Sequence, residues 1–77
     1  MSKHNIEQCV RDSLGRYFQD LDGAKAHDVF DMVMSCVEKP MLEVVLEQAG
    51  GNQSLAAEYL GINRNTLRKK LQQHGLL

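Results

Sequence analysis

The 77-residue chain has little of several things, and each shortage closes a class of function. No apolar run comes near the roughly 18 residues of a membrane-spanning helix. The opening Met1-Ser2-Lys3-His4-Asn5 does not begin the long apolar segment of a secretory leader either, so a cytoplasmic protein without membrane contact is expected. Cysteine is confined to Cys9 and Cys36, which lie far apart and outside any CxxC pair, a pattern that fits neither a disulfide framework nor a zinc module. Both fall among apolar residues of helical period and are expected as buried, reduced thiols. The three histidines, His4, His27 and His74, stand in separate segments without a carboxylate or cysteine pattern, and no glycine-rich phosphate loop is present. An enzyme, a metal site and a cofactor are therefore not expected, and each histidine reads as a surface or capping residue. Repeats and low-complexity segments are missing as well. With 43% hydrophobic residues and one proline, what remains is a folded domain.

An excess of positive charge, the crude mark of a nucleic-acid binder, is also lacking: nine Lys and Arg face ten Asp and Glu, for a net charge of −1. The total conceals a division. All ten acids lie in residues 1–62 with only Lys3, Arg11, Arg16, Lys25 and Lys39, whereas residues 63–77 carry Arg64, Arg68, Lys69 and Lys70 and no acid. An acidic body ends in a cationic tip.

Hydrophobic periodicity predicts an all-α fold of four helices. Ile6, Val10, Leu14, Tyr17, Phe18 and Leu21 share one face of a first helix, Ile6 to Asp20, which Asp22-Gly23 ends. Asp28 is expected to cap a second helix running from Val29 to Ala49. Its apolar residues spread beyond a single stripe, so it needs cover on more than one side, and a first helix alone cannot supply it. A second copy of the chain is the economical source, meeting Val29, Phe30, Val33, Val37, Pro40, Met41 and Val44. Pro40 is expected to kink this helix without breaking it, because the apolar period continues beyond it. Gly50-Gly51 stops it. Asn52 then caps a third helix, Gln53 to Leu60, and Asn63 a fourth, Arg64 to about His74, closed by Gly75. The chain reads as one domain, residues 1–77, with dimerisation helices over about 6–49 and a unit of two short helices over about 50–77, whose role the next residues decide.

The last two helices, joined by Gly61-Ile62-Asn63, have the spacing of a helix-turn-helix. Ala56 and Ala57 are small where the helices must approach, and Leu60, Ile62, Leu67 and Leu71 can lock the pair onto the second helix. On the fourth helix Arg64, Asn65, Arg68, Lys69 and Gln72 form one outward face made of hydrogen-bond donors, almost all cationic. An α-helix fits the major groove, where arginine pairs with guanine and asparagine with adenine. Asn63, Arg64 and Asn65 occupy the end that would reach base edges. Phosphates are expected at Asn52, Gln53 and Ser54, at the positive end of the third helix, and at Thr66, Arg68, Lys69 and Lys70.

The stretch Gly51 to Leu71 resembles the C-terminal helix-turn-helix of Fis, the bacterial factor for inversion stimulation. Val37-Glu38-Lys39-Pro40-Met41-Leu42 resembles the kinked long helix of that family, and Ser13 to Gly23 its first helix and turn. The resemblance implies a nucleoid-associated transcriptional regulator: a homodimer with intertwined first and second helices, which bends double-stranded DNA and reads an AT-rich centre mostly by shape. It implies that Arg64 reads a guanine, Asn63 a base edge beside it, and that Asn52, Ser54, Thr66, Arg68 and Lys69 hold phosphates. RNA polymerase is the further partner it suggests. The five residues ahead of Ile6 are too few for the β-hairpin arm with which the best-known members touch recombinases, so that contact is not expected. Gly50, Leu55, Gln72 and Gln73 replace basic residues common in the family, which points to fewer flanking-DNA contacts. Ala57-Glu58-Tyr59-Leu60-Gly61-Ile62 leans toward the terminal domain of sigma-54-dependent activators; a chain opening at Met1 with no ATPase ahead of it favours the free-standing protein. The rival in another class is a helical dimer that binds a protein partner and not DNA.

Overall fold

Local hydrogen bonds decide where the last two helices begin and end. The computed structural model describes residues 3–77 and contains α1 (Lys3–Asp20), α2 (Val29–Gln48), α3 (Gln53–Leu60) and α4 (Arg64–Gln73), with no strand among the described residues. Asn52 and Asn63 have extended backbones, and their side-chain oxygens accept the Leu55 N–H at 3.1 Å and the Asn65 N–H at 2.7 Å. Each satisfies a donor that the first helical turn leaves without an internal partner. Gly61 ends α3 in the left-handed conformation (φ 73°), letting Ile62 N–H reach the Ala57 carbonyl at 3.0 Å while its own N–H reaches Glu58 at 3.2 Å. A side chain at that φ would strain the turn that aims α4.

Two expectations about helix starts are corrected. Asp28 precedes α2 but does not cap it: its backbone is left-handed (φ 53°), its side chain makes no capping bond, and its carboxylate accepts from His27 Nδ1 at 3.3 Å. The first helix begins at Lys3, three residues ahead of Ile6; Glu7–Arg11 and Gln8–Asp12, each four apart, bridge successive turns there. Pro40 lies inside α2, which continues through it as expected.

The buried core is small and sits at one end of the molecule. Leu42 and Ala49 of the α2 region, Ala56 and Ala57 of α3, and Leu67 and Leu71 of α4 pack together, with Val45, Leu46, Leu55, Leu60, Ile62 and Leu76 around them. Leu42, Leu67 and Leu71 are fully enclosed, each worth about 1.5–3 kcal/mol of apolar burial. The alanines let α3 lie close against its neighbours, and the result is a helix-turn-helix clamped on the C-terminal half of α2.

Nothing comparable exists at the other end. α1 has no buried residue, and its apolar face is open, Ile6 at 46% and Phe18 at 54% exposure. Tyr17 and Phe18 meet only edge to face, with ring centres 5.4 Å apart. The radius of gyration is 15.1 Å, against about 11.5 Å for a compact chain of this length. Cys9 and Cys36, expected to be buried, are exposed in the protomer: no residue of α1 is buried, and Cys36 lies on α2 away from the side that meets α4.

Candidate nucleic-acid interface

α4 sorts its side chains by chemistry. Leu67 and Leu71, one turn apart, face the core; Arg64, Asn65, Thr66, Arg68, Lys69 and Gln72 are exposed. Among the described residues Arg64, Arg68 and Lys69 form no ion pair; the basic partners in the ion pairs found are Arg11, His27, Lys70 and His74, the last two turned toward Glu38 of α2. A solvated helix face normally mixes both signs. This one presents three unneutralised cations around the exposed Asn65 amide.

The capping roles of Asn52 and Asn63 restrict what else they can offer. Each commits its side-chain oxygen to its own helix, leaving the Nδ2 amide as a donor. Asn63 would therefore meet adenine with an oxygen that already accepts one hydrogen bond, whereas the Asn65 side chain carries no such capping bond and is the freer of the two for the two-pronged contact. Ser54 and Asn52 are exposed at the start of α3, and Gln53 is half-buried.

Lys70 stands apart from the other phosphate candidates. Its Nζ donates to Glu38 Oε2 at 2.9 Å, and Nε2 of His74 donates to the other carboxylate oxygen, Oε1, at 3.0 Å. Because a carboxylate only accepts, His74 must carry its proton on Nε2. Glu38 and His74 side chains are 14% and 12% exposed, and Lys70 34%. His74 is thus no surface residue. It occupies the C-cap position of α4, with its ring folded onto α2. A groove of about 580 Å³ opens beside this cluster, lined by Phe30, Met34 and Ser35 on one wall and Gln73 on the other.

Glu38 and its link to His74 escaped sequence reasoning, although one signal was present: Glu38 lies one turn before Leu42 on the face of α2 that meets α4, and His74 one turn after Lys70 and Leu71. The hydrogen bond from His74, followed by that from Lys70, holds the Glu38 carboxyl below the usual carboxylate range, against the smaller upward push of burial. A folded value below the unfolded one means that the tie contributes stability above the unfolded pKa, about 4.3, and loses it as pH falls through the folded value. Melting temperature measured against pH should therefore separate the native protein from Glu38→Gln at neutral pH, and the two curves should converge as acidification passes the folded value.

The expected dimer residues run along one side of α2. Phe30 (76% exposed), Val37, Met41 and Val44 (57%) form an open stripe, with Pro40 exposed beside it and Val29 and Val33 half-buried. No helix is long and apolar enough to cross a membrane, and no group of three or more His, Cys, Asp or Glu that could hold a metal ion occurs among the described residues.

The model of the bacterial regulatory protein Fis family matches residues 34–74, more than half of the chain. The chain belongs to the Fis family. A Fis-like DNA-binding protein of Ralstonia nicotianae is 65% identical over 77 residues, with both chains covered in full. Another, from Neisseria meningitidis serogroup A, is 60% identical over 73 residues, covering 95% of this chain and 92% of the relative. The DNA-binding protein Fis of Actinobacillus succinogenes is 46% identical over 71 residues, 92% of this chain and 72% of its own. In this Fis-family chain the matched span begins inside α2 and ends at His74, so it takes in the helix-turn-helix, Glu38 and the half of α2 on which α4 rests.

Proposed function

We propose that this Fis-family chain is a homodimeric DNA-binding and DNA-bending regulator of transcription, acting at the nucleoid and in reach of RNA polymerase. The carrying observation is the exposed, unneutralised donor face at the N-terminal end of α4, mounted on a helix-turn-helix. Arg64 pairs with a guanine, Asn65 with a base edge and Asn63 contributes one amide donor beside them; Asn52, Gln53, Ser54, Thr66, Arg68 and Lys69 engage phosphates. The relatives' names, Fis-like DNA-binding protein and DNA-binding protein Fis, favour the same reading. Net charge does not oppose it, since screening over about 8 Å at physiological salt mutes the acidic body.

The open faces of α1 and α2 support pairing. Phe30, Val37, Met41 and Val44 are too many large apolar groups for a lone 77-residue chain to leave in water, and a second copy would cover them. Two recognition helices per particle then read two half-sites, and an AT-rich centre whose minor groove compresses cheaply lets the duplex bend to meet both.

A gel-shift titration on a guanine-flanked, AT-centred duplex of about 27 base pairs, some two and a half helical turns, tests the whole reading when run with circularly permuted fragments. Retarded complexes whose mobility varies with site position are expected; no complex at micromolar protein and low salt would overturn DNA binding. For the dimer, each tenfold rise in protein concentration should stabilise the fold by about 1.4 kcal/mol, raising Tm by several degrees. Sedimentation that finds a folded monomer at micromolar concentration would refute it.

A further inference from the structure

We propose that Glu38 is a specificity-determining positioning residue for DNA recognition: it withdraws Lys70 from the phosphate backbone and, through Lys70 and His74, fixes the seat of α4 on α2. The inference rests on the DNA-binding reading above and adds to it a role for a residue that contacts no DNA.

Three observations carry it. Both carboxylate oxygens are used, one by each partner, so the tie is two-pronged and resists rotation as a single contact would not. Lys70 lies in the last turn of α4 and His74 at its C-cap, thirty-two and thirty-six residues from Glu38, so the bonds join two elements and do not brace one helix. Their place is the C-terminal part of α4, whose opposite end carries Arg64 and Asn65, and a helix held firmly at Leu67, Leu71 and His74 has its tip aimed from α2. Since α2 also carries the open stripe through which a second copy would pair, the seat of α4 on α2 sets the separation and tilt of two recognition helices.

The charge consequence is separate from the geometric one. Of the four cations in residues 63–77, Arg64, Arg68 and Lys69 are unpaired and Lys70 is neutralised. An unpaired Lys70, adjacent to Lys69 on a flexible four-carbon stem, would reach any passing phosphate without regard to sequence. Such a contact strengthens specific and non-specific complexes alike and gives no discrimination. Glu38 suppresses it.

Salt dependence reads this directly, because each phosphate neutralised adds about 0.9 to the slope of log affinity against log salt. Affinities of the native protein, Glu38→Gln, Lys70→Met and the double variant would be measured from 50 to 300 mM salt on a specific and a scrambled duplex. Glu38→Gln should steepen the slope by up to about 0.9 per subunit and lower the ratio of specific to scrambled affinity about three- to tenfold. Lys70→Met alone should leave the slope unchanged, and the double variant should restore the native slope. A role in folding only would lower both affinities together without steepening either slope. The proposal is overturned if Lys70→Met flattens the native slope by about 0.9 per subunit, which would place Lys70 on a phosphate, or if Glu38→Gln leaves slope and ratio unchanged. Failure of the native protein to bind either duplex would instead overturn the DNA-binding reading itself.

Discussion

Leu71→Ala should cost about 2–5 kcal/mol and lower the melting temperature by roughly 10–30 °C, enough to leave the helix-turn-helix largely unfolded near physiological temperature. Leu71 is completely enclosed between α4 and the Leu42 side of α2, and truncation removes its transfer energy and leaves a cavity. The loss is large relative to the whole, since a domain of this length has only about 4–12 kcal/mol to begin with. The six core residues offer no reserve, because half of them are alanines that cannot swing into the gap. Circular dichroism melts at matched protein concentration check the effect. Phe30→Ala, at a side chain 76% exposed in the protomer, is the control: its destabilisation should shrink as the protein is diluted below the dimer dissociation constant, and that of Leu71→Ala should not. A shift for Leu71→Ala of less than about 5 °C would mean that α4 does not depend on this core.

What can be read from sequence here divides by the range of the interaction. The bounds of α3, the start of α4 and the stop of α2 near Ala49 were legible because each depends on an asparagine or glycine whose partner lies within five residues. The inward set of Leu67, Leu71, Ala56 and Ala57 was legible from period alone. Asp28 was misread since a capping residue must have an extended backbone, and the link through Ala24 to His27 delivers it in a left-handed one; the residue type suits a cap, but the backbone does not. Burial of Cys9 and Cys36 was misread because helical period marks a face without saying what covers it. The Glu38 tie was invisible for a different reason. Its groups are more than thirty residues apart, and each has an ordinary local role: a charged residue on a long helix, a lysine in a basic run, a histidine at a helix end.

The same distinction between paired and unpaired charge bears on the recognition helix itself, where Arg64→Ala should reduce affinity for a guanine-flanked, AT-centred duplex roughly 5- to 150-fold, or about 1–3 kcal/mol. Arg64 is the first residue of α4, exposed, free of any acidic partner, and adjacent to Asn63, whose capping bond at 2.7 Å holds the backbone that carries it. Its guanidinium pays no penalty for leaving a salt bridge on meeting DNA, unlike Lys70, which would have to give up Glu38. If Arg64 reads guanine through its two-pronged donor face, its loss must also flatten the preference at that base: duplexes with the guanine changed should bind the variant as well as the original sequence does. Arg68→Ala, by contrast, should weaken specific and scrambled duplexes by the same factor and reduce the salt slope by about 0.9 per subunit. Comparing the two variants separates base reading from phosphate anchoring on one helix. Should Arg64→Ala weaken all duplexes equally and leave base preference intact, Arg64 is another phosphate contact, and the sequence preference of this chain must come from Asn65 and from the shape of the DNA between the half-sites.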